Sequence, residues 1–211
     1  YQGRPFGMDT ILGPVERLLY RLSAVDASRE MDWKSYALAM LGINALGMLF
    51  VYALERLQGE LPLNPLRLPG VDPFVAVNTA VSFATNTNWQ AYVPESQVSY
   101  LTQMLALARE NFVSAAIGIA VAVALSRGLT RHSAKELGNF WVDITRGILW
   151  ILLPLSIVGG LALVSQGVVQ NLDSPTRAIT VQGTVQTIAQ GPFASQEIIK
   201  ELATNGGGPY N

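Results

Sequence analysis

Three apolar runs, at residues 35–54, 98–126 and 147–165, divide this chain, and the segments between them follow different rules. Each run approaches or exceeds the about 20 residues that a helix needs to cross a hydrocarbon core, so each predicts a membrane-spanning helix. The second is longer than a core of about 30 Å requires, which predicts tilt or protrusion. Pro154 inside the third predicts a kink. Gly42, Asn44 and Gly47 in the first suit close helix packing, with Asn44 placed for an interhelical hydrogen bond.

Two further helical patterns are too short to span. Asp72 is a natural N-cap with Pro73 at the first helical position, and the half-apolar helix they open runs to about residue 85. It ends in Thr85-Asn86-Thr87-Asn88-Trp89-Gln90. Gly191-Pro192 opens a second short helix, predicted over 193–203, which ends in Thr204-Asn205-Gly206-Gly207-Gly208. Residues 58–73 are too rich in Pro and Gly for a continuous helix. Residues 167–190 alternate around Ile179, Val181 and Val185, with Gln182-Gly183 as a turn signal, and predict a small extracytoplasmic hairpin. Near the start, residues 7–20 contain a short amphipathic turn, with Ile11, Val15, Leu18 and Leu19 on one side. The order is span, short helix with polar loop, span, then span, short helix with polar loop. That is a membrane-pore-membrane unit repeated one and a half times. Internal repeats of this kind are common in transport proteins.

Composition narrows the class. Half the residues are hydrophobic, 14% are charged and mean hydropathy is +0.30. Soluble domains carry about 25% charged residues, so this is the composition of an integral membrane protein. A net charge of −1 gives no reason to expect nucleic acid. One His and no Cys argue against the usual zinc and thiolate sites and against disulfides. Lys and Arg concentrate in residues 1–34 and 127–146, while 58–97 holds only Arg67 and 167–192 only Arg177. The two basic regions therefore face the cytoplasm, and both polar loops enter from the outside.

Irregular backbone at membrane depth survives only where protein buries it or where it lines a water-filled space. A half-helix followed by an extended polar stretch reads as a pore loop, whose carbonyls can replace an ion's hydration shell. Thr85 to Asn88 supplies consecutive carbonyls and short polar side chains. Gly206 to Gly208 supplies backbone free to take dihedrals barred to other residues. The plainer alternatives are a solvent-facing helix cap for the first loop and a flexible linker for the second.

The residues 78–83, followed by 85–90, resemble the first pore loop of the potassium-binding, channel-like subunit of bacterial Kdp-type potassium pumps. Asp32-Trp33-Lys34, Leu61-Pro62-Leu63-Asn64-Pro65, Leu137-Gly138-Asn139-Phe140-Trp141-Val142-Asp143, Gly191-Pro192-Phe193-Ala194-Ser195-Gln196-Glu197 and Thr204-Asn205-Gly206-Gly207-Gly208 resemble the same family, in the same order. The resemblance implies an all-α integral membrane protein of the potassium-transporter superfamily, with four re-entrant pore loops in one chain, two of them here. It implies that one membrane helix precedes Tyr1 and that more than half of the protein follows Asn211. It implies potassium bound mainly by backbone carbonyls of Thr85, Asn86, Thr87, Asn88, Thr204, Asn205, Gly206, Gly207 and Gly208, with Gln90 at the pore mouth. Asn86 stands where other potassium filters use glycine, so the fourfold arrangement is imperfect. Implied partners are a P-type ATPase subunit, small accessory membrane subunits and lipid, in a multi-pass protein of the bacterial cytoplasmic (inner) membrane.

Nothing in the chain itself reads as an ATPase site. No Walker-type glycine loop is present, and the segments between spans are too short for a nucleotide domain. Residues 1–97 carry a cytoplasmic segment, one span and the first pore loop. Residues 98–211 carry two spans, the extracytoplasmic segment and the second loop. A stand-alone potassium channel or cation symporter shares the same unit and is the alternative function, and a nonconducting scaffold is a third. Arg109 and Glu110 depart from the family, where uncharged residues are expected. Each intramembrane charge costs about 2.5–3.5 kcal/mol on insertion scales. Adjacent helical residues do not face each other, so each residue needs its own partner, unless the long span protrudes there. Trp89 buttresses the filter or anchors at the interface. His132 reads as a solvated loop residue.

Overall fold

The computed structural model describes residues 7–131 and 135–208. His132 lies outside the described residues. Three helical rods are long and apolar enough to cross a membrane, at Trp33–Glu60, Thr102–Thr130 and Phe140–Ser165. The chain in order is α1 (Asp9–Leu22), β1 (Met31–Asp32), α2 (Trp33–Leu57), α3 (Pro73–Ala84), the single turn α4 (Pro94–Gln97), α5 (Arg109–Thr130), β2 (Glu136–Gly138), α6 (Phe140–Arg146), α7 (Leu153–Ser165), β3 (Thr176–Ile179), β4 (Val185–Ile188) and α8 (Phe193–Leu202).

Local chemistry accounts for most of these boundaries. The Asp32 carboxylate accepts from the Ser35 amide at 2.8 Å and starts α2. Asp72 does the same for α3, accepting from Phe74 at 2.9 Å, with Pro73 at the first helical position as expected. Asn139 starts α6 by accepting from Trp141 at 3.0 Å and Val142 at 3.3 Å. The third rod therefore begins at Phe140, seven residues before the apolar run does, and residues 127–130 likewise belong to α5. Arg127 and Arg146, the ends of the second basic region, both sit on helices.

Two rods contain π-helical stretches, at Thr102–Ala108 leading into α5 and at Gly147–Leu152 leading into α7. The second lies directly ahead of Pro154. Proline has no amide and its ring crowds the carbonyl four residues back, here Trp150. A widened turn takes up that conflict.

One end of the rods is tied by charges. Arg127 grips Asp143 with two bonds, Nη1–Oδ2 at 2.5 Å and Nη2–Oδ1 at 2.9 Å. The Tyr36 hydroxyl reaches the same carboxylate at 3.0 Å and the Ala120 carbonyl at 2.9 Å. Arg131 pairs with Glu30 at 2.6 Å, and β1 pairs antiparallel with β2. The two basic regions thus share one end of the molecule. α1 docks at this end as a full helix, longer than the amphipathic turn expected there.

The other end is tied by backbone and amides. Gln58 donates to the carbonyls of Pro69 at 2.7 Å and Gln97 at 2.8 Å, and accepts from the Ser99 amide at 3.0 Å. Gly70 is required here, because a Cβ would sit 2.3 Å from the Arg56 carbonyl. The Tyr100 hydroxyl donates to the Asp173 carbonyl at 2.7 Å. The expected hairpin is present as β3 against β4, turning at Gly183 with φ of 82°.

Candidate functional site

Both short helices start at the amide-tied end. α3 begins beside the end of α2, where the Val71 amide bonds the Glu55 carbonyl at 2.9 Å. Its far end meets the middle of the long rods: the Ser114 hydroxyl on α5 donates to the Asn86 side-chain oxygen at 2.9 Å. The chain then returns, and the Tyr92 hydroxyl donates to the Glu55 carboxylate. α8 follows Gly191, packed so tightly that a Cβ would lie 3.0 Å from the Tyr100 ring. It runs along α7, where Gly159 leaves room for Ile198. The two loops meet: the Asn205 side-chain amide donates to the Asn86 carbonyl at 2.6 Å. Lys200 of α8, itself buried, lies 5.9 Å from the Phe83 ring centre of α3.

The loop backbones are unusual in the same way. Asn86 and Asn88 have φ of 61° and 56°, with Thr85 at −91° between the helix and Asn86. Thr204, Gly206 and Gly207 have φ of 61°, 60° and 61°. Left-handed residues thus recur within a few positions in both loops. Left-handed φ is ordinary for Gly and tolerated by Asn, so Asn86 takes the conformation that glycine would supply. Thr204 is the costlier case. The amides of the first loop are already spent. Asn86 donates to the Phe83 carbonyl at 3.2 Å, Thr87 and Asn88 to Ser82 at 2.9 and 3.1 Å, and Trp89 to the Ser82 hydroxyl at 2.7 Å. Thr85 and Thr87 face outward with hydroxyls 3.3 Å apart, whereas Asn88 is buried.

Below the first loop lies a cavity of about 500 Å³, lined by Asn44, Met48, Thr85, Asn86 and Ser114 among others. Several buried polar atoms of the two loops and of the second rod have no partner among the described residues: both amide atoms of Asn88, Gln103 and Asn111, Oε1 of Glu110 and Oδ1 of Asn205. Orphaned polar atoms are rare in protein interiors, and each calls for a cause.

Several expectations change. Arg109 and Glu110 bond each other directly, where the π-helical stretch passes into α5. Their Cα–Cβ directions diverge by about 100°, but arginine's long stem brings the guanidinium round to the carboxylate. Arg109 also lies 5.4 Å from the Phe50 ring centre. Gly47 makes room for the Glu110 carboxylate, while a Cβ at Gly42 would meet nothing within 4 Å. Asn44 donates to the Met40 carbonyl of its own helix at 2.9 Å, not across helices. Trp89 is 58% exposed and borders a surface groove together with Thr85 and Thr87 of the loop. Gly206 and Gly207 have open space beside them, so their demand for glycine comes from φ and not from crowding. Gly208 is the crowded one, against the Glu197 carboxylate. Gln90 is half-buried next to the first loop.

Sequence reasoning missed Ser82, Ser114 and Lys200. The signal for Ser114 was a polar face on one helix: Gln103, Glu110, Asn111 and Ser114 recur at helical spacing, and all four are buried.

The model of the family described as potassium-transporting ATPase A subunit matches residues 1–211. The chain belongs to that family. It is 65% identical to a protein of Solidesulfovibrio magneticus, over 100% of this chain and 40% of that one. It is 58% identical to one of Bordetella pertussis, over 94% and 38%, and 54% identical to one of Acidobacterium capsulatum, over 100% and 38%. All three are named potassium-transporting ATPase potassium-binding subunit. The chain spans about 40% of the length of the curated relatives it matches.

Proposed function

We propose that this chain forms half of the potassium-selective pathway in the ion-binding subunit of an ATP-driven uptake complex of the bacterial cytoplasmic membrane. α3 and α8 are pore half-helices that enter from the outer side and end at mid-depth. Residues 85–88 and 204–208 are two of four filter segments, and Gln90 stands at the mouth. The observation that carries this reading is the meeting of two left-handed, polar loops at the ends of two short helices, joined by the Asn205–Asn86 bond.

Potassium sheds water in a narrow pore only where carbonyls replace it in suitable number. Spending the first-loop amides on the end of α3 leaves that backbone's remaining carbonyls free to face an ion. A hydrated path supplies partners for the orphaned amides of Asn88, Gln103 and Asn111. The cavity below the first loop serves as an inner vestibule. The charge-tied end, with its two basic regions, faces the cytoplasm. Hydrolysis of ATP belongs to a partner P-type subunit, and small accessory subunits complete the complex.

The test is potassium flux into liposomes holding the full-length subunit with its ATPase partner, beside liposomes holding residues 1–211 alone. Uptake by the complex that requires ATP and prefers potassium over sodium is expected, with none from the fragment, because two loops leave a dehydrated ion short of ligands. Selective, saturable flux from the fragment alone overturns the four-loop reading. ATP-independent flux through the full-length subunit alone points to a stand-alone channel or symporter.

A further inference from the structure

α1 is amphipathic in the inverse sense. Ile11, Val15, Leu18 and Leu22 fall within an arc of about 60° at 3.6 residues per turn, and they are 72%, 41%, 53% and 74% exposed. The side turned toward the protein is polar. Gly13 and Glu16 are buried there, and Glu16 accepts from Arg146 at 2.8 Å, from the Trp150 indole at 2.7 Å and from the Tyr20 hydroxyl at 2.8 Å. A helix on a water-facing protein surface turns its apolar stripe inward. This one turns it away.

Its position explains the inversion. Arg146 immediately precedes the most apolar part of the third rod, and Trp150 stands one turn further in, the arrangement of basic and aromatic residues that marks a membrane–water boundary. Below them Ile151, Leu155 and Val158 are exposed on the same rod. The apolar side of α1 and this rod therefore both present exposed apolar side chains at this end. Arg17 and Arg21 occupy a third side of α1, exposed, and neither joins an ion pair among the described residues.

We infer that α1 lies in the membrane surface as a lipid-bound helix. Ile11, Val15, Leu18 and Leu22 sit at the acyl boundary, and Arg17 and Arg21 meet anionic phosphate headgroups. Such helices sink about 5–10 Å into the headgroup region and bind by buried apolar area plus attraction to anionic lipid. Glu16 acts as the tether that holds α1 to the bundle at that depth.

The experiment uses the full-length subunit in its complex, with native cysteines of the complex replaced. The described chain contributes none. A fluorophore is placed at Leu18→Cys, and for comparison at Thr10→Cys on the polar side. The vesicles are phosphatidylcholine with or without phosphatidylglycerol, carrying nitroxide at shallow or deep acyl positions. Quenching of the Leu18 site by shallow nitroxide should exceed that of the Thr10 site at least twofold, and should rise with phosphatidylglycerol. The double substitution Arg17→Gln, Arg21→Gln should abolish that rise while leaving quenching in neutral vesicles. A Leu18 site shielded from both nitroxide and aqueous iodide means that another protein segment covers α1, and overturns the inference. Quenching by iodide alone overturns it too. Equal quenching in the two vesicle types with both arginines intact overturns the headgroup assignment.

Discussion

The two polar loops reach similar backbone conformations by different means. In the first, side chains hold the shape. Ser82 receives three amides through its carbonyl and hydroxyl, and Ser114 on a neighbouring helix fixes the Asn86 side chain. In the second, the backbone does more alone. Thr204 and Asn205 donate to the end of α8 at 3.1 and 3.0 Å, and glycine takes the left-handed positions beyond. Asn205 then ties the second loop to the first. A loop held by side chains tolerates loss of one bond, because several remain. A loop held by glycine has no substitute for the missing Cβ.

The sharpest way to break this contrast is Gly206→Asp in the full complex. Asp adds a side chain and a charge beside the proposed ion path, at a φ of 60°, so potassium affinity should fall on the order of tenfold or more. Transport kinetics with potassium, rubidium and sodium measure it. Unchanged affinities at normal expression would remove Gly206 from the ion path. Next comes Asn205→Ala, which deletes the tie between loops. A lost hydrogen bond of about 1 kcal/mol predicts a roughly fivefold loss of affinity. Pairing it with Ser114→Ala in a double-mutant cycle tests whether both act through Asn86, and strict additivity would say they do not.

Ser114→Ala alone should weaken potassium about two- to threefold, since the Ser82 bonds persist. If it matches Gly206→Asp in ion-binding assays, the two loops are built alike after all. The smallest effect belongs to the far end. Burial opposes the charged form of Glu16, but hydrogen bonds from Arg146, Tyr20 and Trp150 outweigh it and hold its carboxyl below the ordinary 4.5. A lowered folded value means that this tether contributes fully above the ordinary carboxylate range and is lost as pH falls through the lowered value. A spin label on α1 should therefore gain mobility only in that acidic window. Its potassium affinity, read at neutral pH after Glu16→Gln, should stay within about twofold of the parent's. A larger drop would mean that the loops are not insulated from this end.

Much of this was visible in the chain. Asp72-Pro73, the abrupt change at Thr85 and the Gly206–Gly208 triplet announce themselves because caps, prolines and glycines act locally. The hairpin at Gln182-Gly183 is legible for the same reason. Other features were not. Arg109 and Glu110 were expected to need separate partners, and the flexible arginine stem made one pair of them. Asn44 was expected to reach across helices, yet its own Met40 carbonyl lay nearer. The third rod begins at Phe140 rather than at the first apolar residue, because Asn139 caps it and Arg127 neutralises Asp143 inside the bundle.

What the sequence determined by itself is the list of parts: three rods long enough to span, two short helices that end in polar loops, and two basic regions on one side. These follow from period, length and capping, which neighbours in the chain decide. Which parts meet was decided by tertiary structure alone. Asn86 finds Asn205 across 119 residues, and Ser114 finds Asn86 across 28. The orientation of α1, apolar side outward, also depends on Glu16 finding Arg146 across 130 residues. Such pairings depend on how rods pack, and packing is a property of surfaces that no single segment carries.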